Sequence, residues 1–179
     1  LFKKTSGKRW GIAGLGSIGR RVADVAKAFG CRVVYFSASG HTYETEFKRV
    51  SFDELLENSD IISIHAPLND KTNNLFDDAA FAKMKKNAVL LNLGRGPIVN
   101  NAALTKALKE NIIAGAGLDV IDKEPIAADN PLLEIQDSSK LIITPHIAWA
   151  TYEARVRLMD EVYENIKAFE AGESRNAVV

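Results

Sequence analysis

At 179 residues, 46% apolar and 26% charged, the chain has the size and balance of one ordinary soluble globule, which excludes a disordered or collagen-like polypeptide. Lys plus Arg and Asp plus Glu each number 23, so the formal charge is zero and gives no support to a nucleic-acid or anionic-membrane partner. The single cysteine, Cys31, cannot close an internal disulfide and fits a reducing, cytoplasmic setting; no apolar run approaches the roughly 18 residues of a membrane-spanning helix.

The opening Leu1-Phe2-Lys3-Lys4 lacks an initiator Met and the apolar stretch of a signal peptide, and a strand follows closely. The expectation is a piece of a longer polypeptide. Residues 8–36 read as strand, tight turn, helix, strand. Trp10-Gly11-Ile12-Ala13 is a short apolar run; Ile18, Val22, Val25, Ala26 and Phe29 then recur at helical spacing, with Gly30 as the stop. Val33-Val34-Tyr35-Phe36 is β-branched and aromatic and ends in a Ser/Gly turn. Ser51-Phe52-Asp53-Glu54 has capping-box spacing and predicts a helix through Asn58. Next come a strand at Ile61-Ile62-Ser63-Ile64, a helix around residues 77–84 and a strand at Ala88-Val89-Leu90-Leu91. The Lys83-Met84-Lys85-Lys86 cluster reads as a solvated helix end. Residues 101–110 are predicted helical, with Ala103, Leu104, Ala107 and Leu108 on one face. Residues 113–120 read as a strand with internal glycines, and Leu141-Ile142-Ile143 as the last strand.

Short apolar strands alternating with helices predict an α/β fold, a doubly wound parallel sheet of the Rossmann dinucleotide-binding kind, over residues 1–150. Residues 151–179 form a C-terminal helix and tail. The helix, predicted over 151–172, carries an apolar stripe (Val156, Met159, Val162, Ile166, Phe169) that needs another surface to cover it.

Gly14-Leu15-Gly16-Ser17-Ile18-Gly19 matches G-x-G-x-x-G between a predicted strand and a predicted helix. The first glycine permits the tight turn, the second lets backbone approach a pyrophosphate, and the third lets helix and strand pack closely. The helix start then offers free N–H groups and partial positive charge to the phosphates. An acidic residue that grips the ribose 2′-OH is expected roughly 20 residues on. Ser37 holds that place, and no Asp or Glu occurs between Asp24 and Glu44. Ser37 and Ser39 can donate to either ribose form, and no arginine sits in the turn. The cofactor reading therefore leans to NAD and leaves NADP open.

Three polar residues follow predicted strands, on the edge where open α/β sheets bind ligands. They are Arg95 in Asn92-Leu93-Gly94-Arg95-Gly96, Glu124 before Pro125, and His146 in Thr144-Pro145-His146-Ile147. Taken singly, each reads as a surface charge, a loop charge or a structural histidine. Together they meet the needs of hydride exchange between nicotinamide and a 2-hydroxy acid. The planar guanidinium of Arg95 suits a substrate carboxylate. An imidazole at His146 suits proton exchange with the substrate oxygen near neutral pH. Glu124 would orient that imidazole and support its charged form. No metal site is expected.

These segments, with His65-Ala66-Pro67-Leu68, Gly115-Ala116-Gly117-Leu118-Asp119-Val120 and Pro145-His146-Ile147-Ala148, resemble the D-2-hydroxyacid dehydrogenase family along nearly the whole chain. The resemblance implies catalytic roles for Arg95, Glu124 and His146. It implies that Asp119 meets the nicotinamide carboxamide, and that Pro67, Leu93 and Gly94 line the cofactor site through backbone. His65 reads equally as a strand-end packing residue. Ala128-Asp129-Asn130-Pro131-Leu132-Leu133 and the stretch through Trp149 to Arg155 are most similar to glycerate dehydrogenases (hydroxypyruvate reductases) within the family. The resemblance further implies a homodimer. It also implies an N-terminal substrate-binding segment that this chain lacks, on which the C-terminal helix would pack, and without that segment poor turnover is expected. Two rivals stay open: a dinucleotide-sensing regulator of the corepressor kind, and a phosphoglycerate or formate dehydrogenase on the same scaffold. The complete Arg95, Glu124 and His146 set argues against the first, and Glu124 disfavours a formate enzyme.

Overall fold

The computed structural model describes residues 4–177, so Leu1, Phe2 and Lys3 of the opening segment lie outside the described residues. The chain divides into two compact units, Leu1–Pro145 and His146–Val179.

The first unit is built on β1 (Arg9–Ala13), β2 (Arg32–Phe36), β3 (Lys48–Arg49), β4 (Ile61–Ile64), β5 (Val89–Asn92), β6 (Gly115–Leu118) and β7 (Leu141–Ile143). They form one all-parallel sheet in the order β3-β2-β1-β4-β5-β6-β7. The order runs outward in both directions from β1, so the chain reverses its winding between β1 and β4, where doubly wound sheets open a crevice. The helices are α1 (Ser17–Ala28), α2 (Phe52–Asn58), α3 (Asp78–Lys83) and α4 (Asn101–Lys109).

Alternation along the strands sorts the core into two layers. Ala13, Val34, Ile62, Ile64, Leu90, Ala116 and Leu118 pack with Leu55 and Leu56 of α2, Phe81 of α3 and Leu104 and Leu108 of α4. On the other face Ile12 and Tyr35 pack with Leu15 and with Ala23 of α1. That second face is covered at the β1–β2 end, whereas Ile142 on β7 is 61% exposed.

Local chemistry sets the helix ends. Gly30 takes φ +79°, and the bonds Gly30 N–H to Lys27 O and Cys31 N–H to Ala26 O close α1 in a Schellman turn, as its position after the apolar stripe predicts. Ser51 caps α2 by accepting from Glu54 N at 3.0 Å. Only that half of the predicted box is used, because the Glu54 carboxylate turns to Arg9 at 2.9 Å and Lys48 at 3.4 Å. The predicted 113–120 strand is shorter, with ladder pairing from Gly115 to Leu118.

The second unit is α5 (Tyr152–Glu170), capped by Thr151 and closed by a Schellman turn in which Glu173 N–H donates to Ala168 O and Gly172 N–H to Phe169 O. Its tail folds back, with Arg175 paired to Glu161 at 2.8 Å. The apolar stripe is there as predicted, and all five of its residues are exposed, from 42% at Val156 and Val162 to 83% at Phe169. No helix of the described residues is long and apolar enough to cross a membrane.

Candidate active site

Strand register lines up one edge of the sheet. Phe36, Ala13, Ile64, Asn92, Leu118 and Ile143 are paired in turn from β2 to β7. The next residues form a further row, held by bonds from Gly14 N to Phe36 O, His65 N to Ala13 O, Asp119 N to Asn92 O and Thr144 N to Leu118 O. Ser37, Gly14, Leu93 and Asp119, read from sequence as site residues, therefore stand along one edge.

Gly14 takes φ +98°, and a Cβ there would stand 2.6 Å from Ala66 N. At Gly19 a Cβ would lie 2.1 Å from Gly14 O, so α1 sits on β1 at a distance only glycine permits. At Gly16 a Cβ would meet nothing within 4 Å. Gly16 is the N-cap of α1 and offers no side chain to its first turn, which also holds no acidic residue. In contrast, Ser51, Asp77, Asn100 and Thr151 cap α2, α3, α4 and α5 through side-chain oxygens. Open space, N–H donors without a side-chain acceptor and the positive end of a twelve-residue helix, beside exposed Ser17 and Ile18, fit the pyrophosphate of a dinucleotide.

At the end of β2, Gly40 N–H donates to Ser37 O at 3.1 Å, closing a turn in which Ser37 Oγ and Ser39 Oγ lie 3.1 Å apart. Ser37 is buried and Ser39 exposed. On the other side of Gly14, Pro67 O accepts from the buried Thr72 hydroxyl at 2.7 Å, which fixes the loop after β4.

One buried side chain shapes the loop after β5. Asn92 Oδ1 accepts from Gly94 N at 3.1 Å, and its Nδ2 donates to Arg95 O at 3.0 Å. Leu93 and the Arg95 side chain are left exposed, with Arg95 Nη1 donating to Gly94 O at 2.9 Å. Gly96 follows with its Cβ position only 1.8 Å from Ile121 O, so this loop presses backbone to backbone on the loop that carries Glu124. In that second loop Asp119 accepts from the Thr144 hydroxyl at 2.6 Å, and Glu124 Oε1 accepts from Ile121 N at 3.1 Å. The Glu124–Pro125 peptide is cis.

Sequence reasoning passed over the anchor of this second loop. Asp122 Oδ1 accepts from Asn101 Nδ2 at 2.6 Å, from Asn130 Nδ2 at 3.1 Å and from Lys123 N at 2.9 Å. It ties the loop to the starts of α4 and of the 3₁₀ turn Pro131–Glu134. Partners 21 and 8 residues away leave no local signal.

His65 faces inward. Its Nε2 lies 3.1 Å from Ser63 Oγ, which also accepts from Trp10 Nε1, and burial holds the imidazole below the usual histidine range. His146 opens the second unit three residues after β7 ends, with φ +55° and its carbonyl accepting from Trp149 Nε1 at 2.9 Å. Among the described residues no group of His, Cys, Asp and Glu could hold a metal ion.

Residues 1–148 match the family described as D-isomer specific 2-hydroxyacid dehydrogenase, NAD binding domain. The chain belongs to this family. A glyoxylate reductase of Korarchaeum cryptofilum is 43% identical over 170 residues, which cover 93% of this chain and 50% of the relative. A hydroxypyruvate reductase of Blautia hydrogenotrophica is 42% identical over 174 residues, 96% of this chain and 53% of the relative. Among solved structures, the TT0316 protein of Thermus thermophilus superposes with a TM-score of 0.92 at 37% identity, covering 100% of this chain and 56% of that one. The chain thus spans about half the length of the relatives it matches.

Proposed function

We propose that this NAD-binding domain is the cofactor half of an oxidoreductase that exchanges hydride between a nicotinamide dinucleotide and a small 2-oxo acid, hydroxypyruvate being reduced to D-glycerate. The observation that carries the reading is the row on the sheet edge, which runs from the Gly14–Gly19 phosphate turn at β1 to the Arg95 loop after β5 and to Asp119 after β6. The names of the hydroxypyruvate and glyoxylate reductases among its relatives support the substrate class.

In this reading the N–H groups of the first turn of α1 hold the pyrophosphate, and Asp119 orients the carboxamide of the ring. The bound nicotinamide supplies the hydride. The exposed guanidinium of Arg95 takes the substrate carboxylate as a two-pronged donor. His146 gives a proton to the C2 oxygen, and the Glu124 carboxylate orients the imidazole and supports its charged form. The apolar stripe of α5 packs on the substrate-binding part of the protein, and the enzyme assembles as a homodimer through the dinucleotide-binding domain.

The test is a panel of 2-oxo acids, with hydroxypyruvate and glyoxylate among them, given to the full-length protein with either reduced cofactor. Hydroxypyruvate turnover is expected, and His146→Asn lowers kcat by about a hundredfold or more while dinucleotide affinity is kept. Tight dinucleotide binding with no turnover of any 2-oxo acid would overturn the proposal in favour of a regulator.

A further inference from the structure

The choice between the two dinucleotides falls to the ribose end of the site, where sheet order brings in a residue remote from the turn in sequence. β3 is two residues long and pairs with β2, Tyr35 beside Arg49. Arg49 therefore leaves the sheet next to the turn that ends β2. Its Nη1 donates to Thr42 Oγ1 at 3.0 Å, and its Nη2 lies 3.8 Å from where a Cβ on Gly40 would stand. The segment that holds Thr42 is itself pinned. Tyr43 N–H donates to the buried Tyr35 hydroxyl at 3.1 Å, and the Tyr43 ring packs edge-on against His41 and carries the Arg20 guanidinium 4.8 Å above its face.

The turn has no carboxylate, since no Asp or Glu lies between Asp24 and Glu44. Lys48, the neighbour of Arg49 on β3, is matched by Glu54, whereas Arg49 is exposed and makes no ion pair among the described residues. A guanidinium without a counter-ion, placed beside a turn that carries two serine hydroxyls, is a donor set for a phosphate monoester. A free ribose 2′-OH calls instead for a carboxylate acceptor.

We propose that Arg49, with Ser37 and Ser39, forms a 2′-phosphate subsite, so that the protein prefers NADP(H) to NAD(H). The inference rests on the dinucleotide reading of the Gly14–Gly19 turn. It removes the ground for a lean to NAD, which was the lack of an arginine within the turn.

Calorimetric titration of the full-length protein with NADP⁺ and NAD⁺ tests it, with adenosine 2′,5′-bisphosphate and 5′-AMP as probes that carry no nicotinamide. NADP⁺ is expected to bind at least about tenfold tighter than NAD⁺, and the bisphosphate tighter than 5′-AMP, with both margins shrinking as salt is raised. Arg49→Ala, at an exposed position, lowers NADP⁺ affinity about tenfold or more and shifts NAD⁺ affinity less than about twofold; Arg49→Lys restores part of the loss. Ser37→Asp reverses the preference by repelling the phosphate. Equal affinity for the two dinucleotides in the unaltered protein, or an equal loss of both in Arg49→Ala, would overturn the subsite. If neither dinucleotide binds, the reading of the glycine turn falls and the subsite falls with it.

Discussion

Replacing Gly16 and Gly19 by alanine, one at a time, separates what the phosphate turn does for the fold from what it does for a ligand. Gly16 has φ −73°, a value alanine adopts freely, and the added methyl meets nothing within 4 Å. The folded state loses only the N-cap preference for Gly over Ala, about 0.5–1 kcal/mol. The ligand loses more, because the methyl occupies space that a pyrophosphate must enter to reach the N–H groups of α1. Loss of one charge-assisted hydrogen bond is worth about 1.5–3 kcal/mol, or roughly ten- to a hundredfold in Kd. Gly19→Ala reverses the balance. Its Cβ would begin 2.1 Å from Gly14 O, so α1 must retreat by more than about 1 Å to reach an ordinary C···O distance of about 3.3 Å. In a close-packed layer that costs about 2–3 kcal/mol of stability. Urea unfolding reads the first quantity, and calorimetric titration of the full-length protein with dinucleotide reads the second. Gly16→Ala should keep its unfolding midpoint close to that of the unaltered protein and lose affinity, and Gly19→Ala should lose midpoint. Unaltered affinity in Gly16→Ala would show that no phosphate sits at this opening, and an unaltered midpoint in Gly19→Ala would show that the Gly14 contact does not set the helix position.

Asp122→Ala strips an acceptor from Asn101 and Asn130, both nearly buried, and is expected to cost about 1–3 kcal/mol in urea unfolding together with a drop in kcat, since the loop of Glu124 loses its tether. Asp60 governs part of the acid limb of stability. Burial raises its carboxyl pKa, but the Lys85 ammonium at 2.6 Å and the Arg9 N–H at 2.9 Å outweigh that and hold it below the usual range. Its folded pKa lies below the unfolded value of about 3.9, so the stabilisation is complete above that pH and is lost as pH falls through the folded pKa. Asp60→Asn should flatten the decline of the urea midpoint in that window, and an unchanged slope would exclude Asp60 as its source. Arg95→Ala should raise KM for the oxo acid with the unfolding midpoint unmoved, whereas Asn92→Ala, which orphans Gly94 N and Arg95 O, should lower stability by about 1–3 kcal/mol in the same unfolding assay.

Much of this architecture is legible in the amino-acid order because the strands are short β-branched runs and the helices carry apolar stripes. Ile61–Ile64 and Leu141–Ile143 are read to the residue. The 113–120 segment is read too long because Ile113 and Val120 are buried beyond the ends of the ladder, and burial without pairing looks the same in sequence. β3 escapes detection since Lys48 and Arg49 are both charged and exposed, and only the register with Val34 and Tyr35 makes them a strand. The glycine turn and the loop positions of Arg95 and Glu124 after their strands are legible because motif spacing and strand ends are local. The nearness of Arg49 to Gly40 follows from strand order, and the bonds of Asp122 need three separate segments to meet, so neither leaves a local trace.

Asn92 has a consequence beyond the loop it braces. Because a buried amide braces residues 93–95 through Gly94 N and Arg95 O, the exposed head group at position 95 adds only its single bond to Gly94 O to the loop that presents it. Descent with modification can therefore swap the head group and keep its mount. If position 95 takes the substrate carboxylate as proposed, a lineage that came to favour a differently charged or bulkier acid would change one solvent-facing side chain, while the backbone beneath it stayed in place.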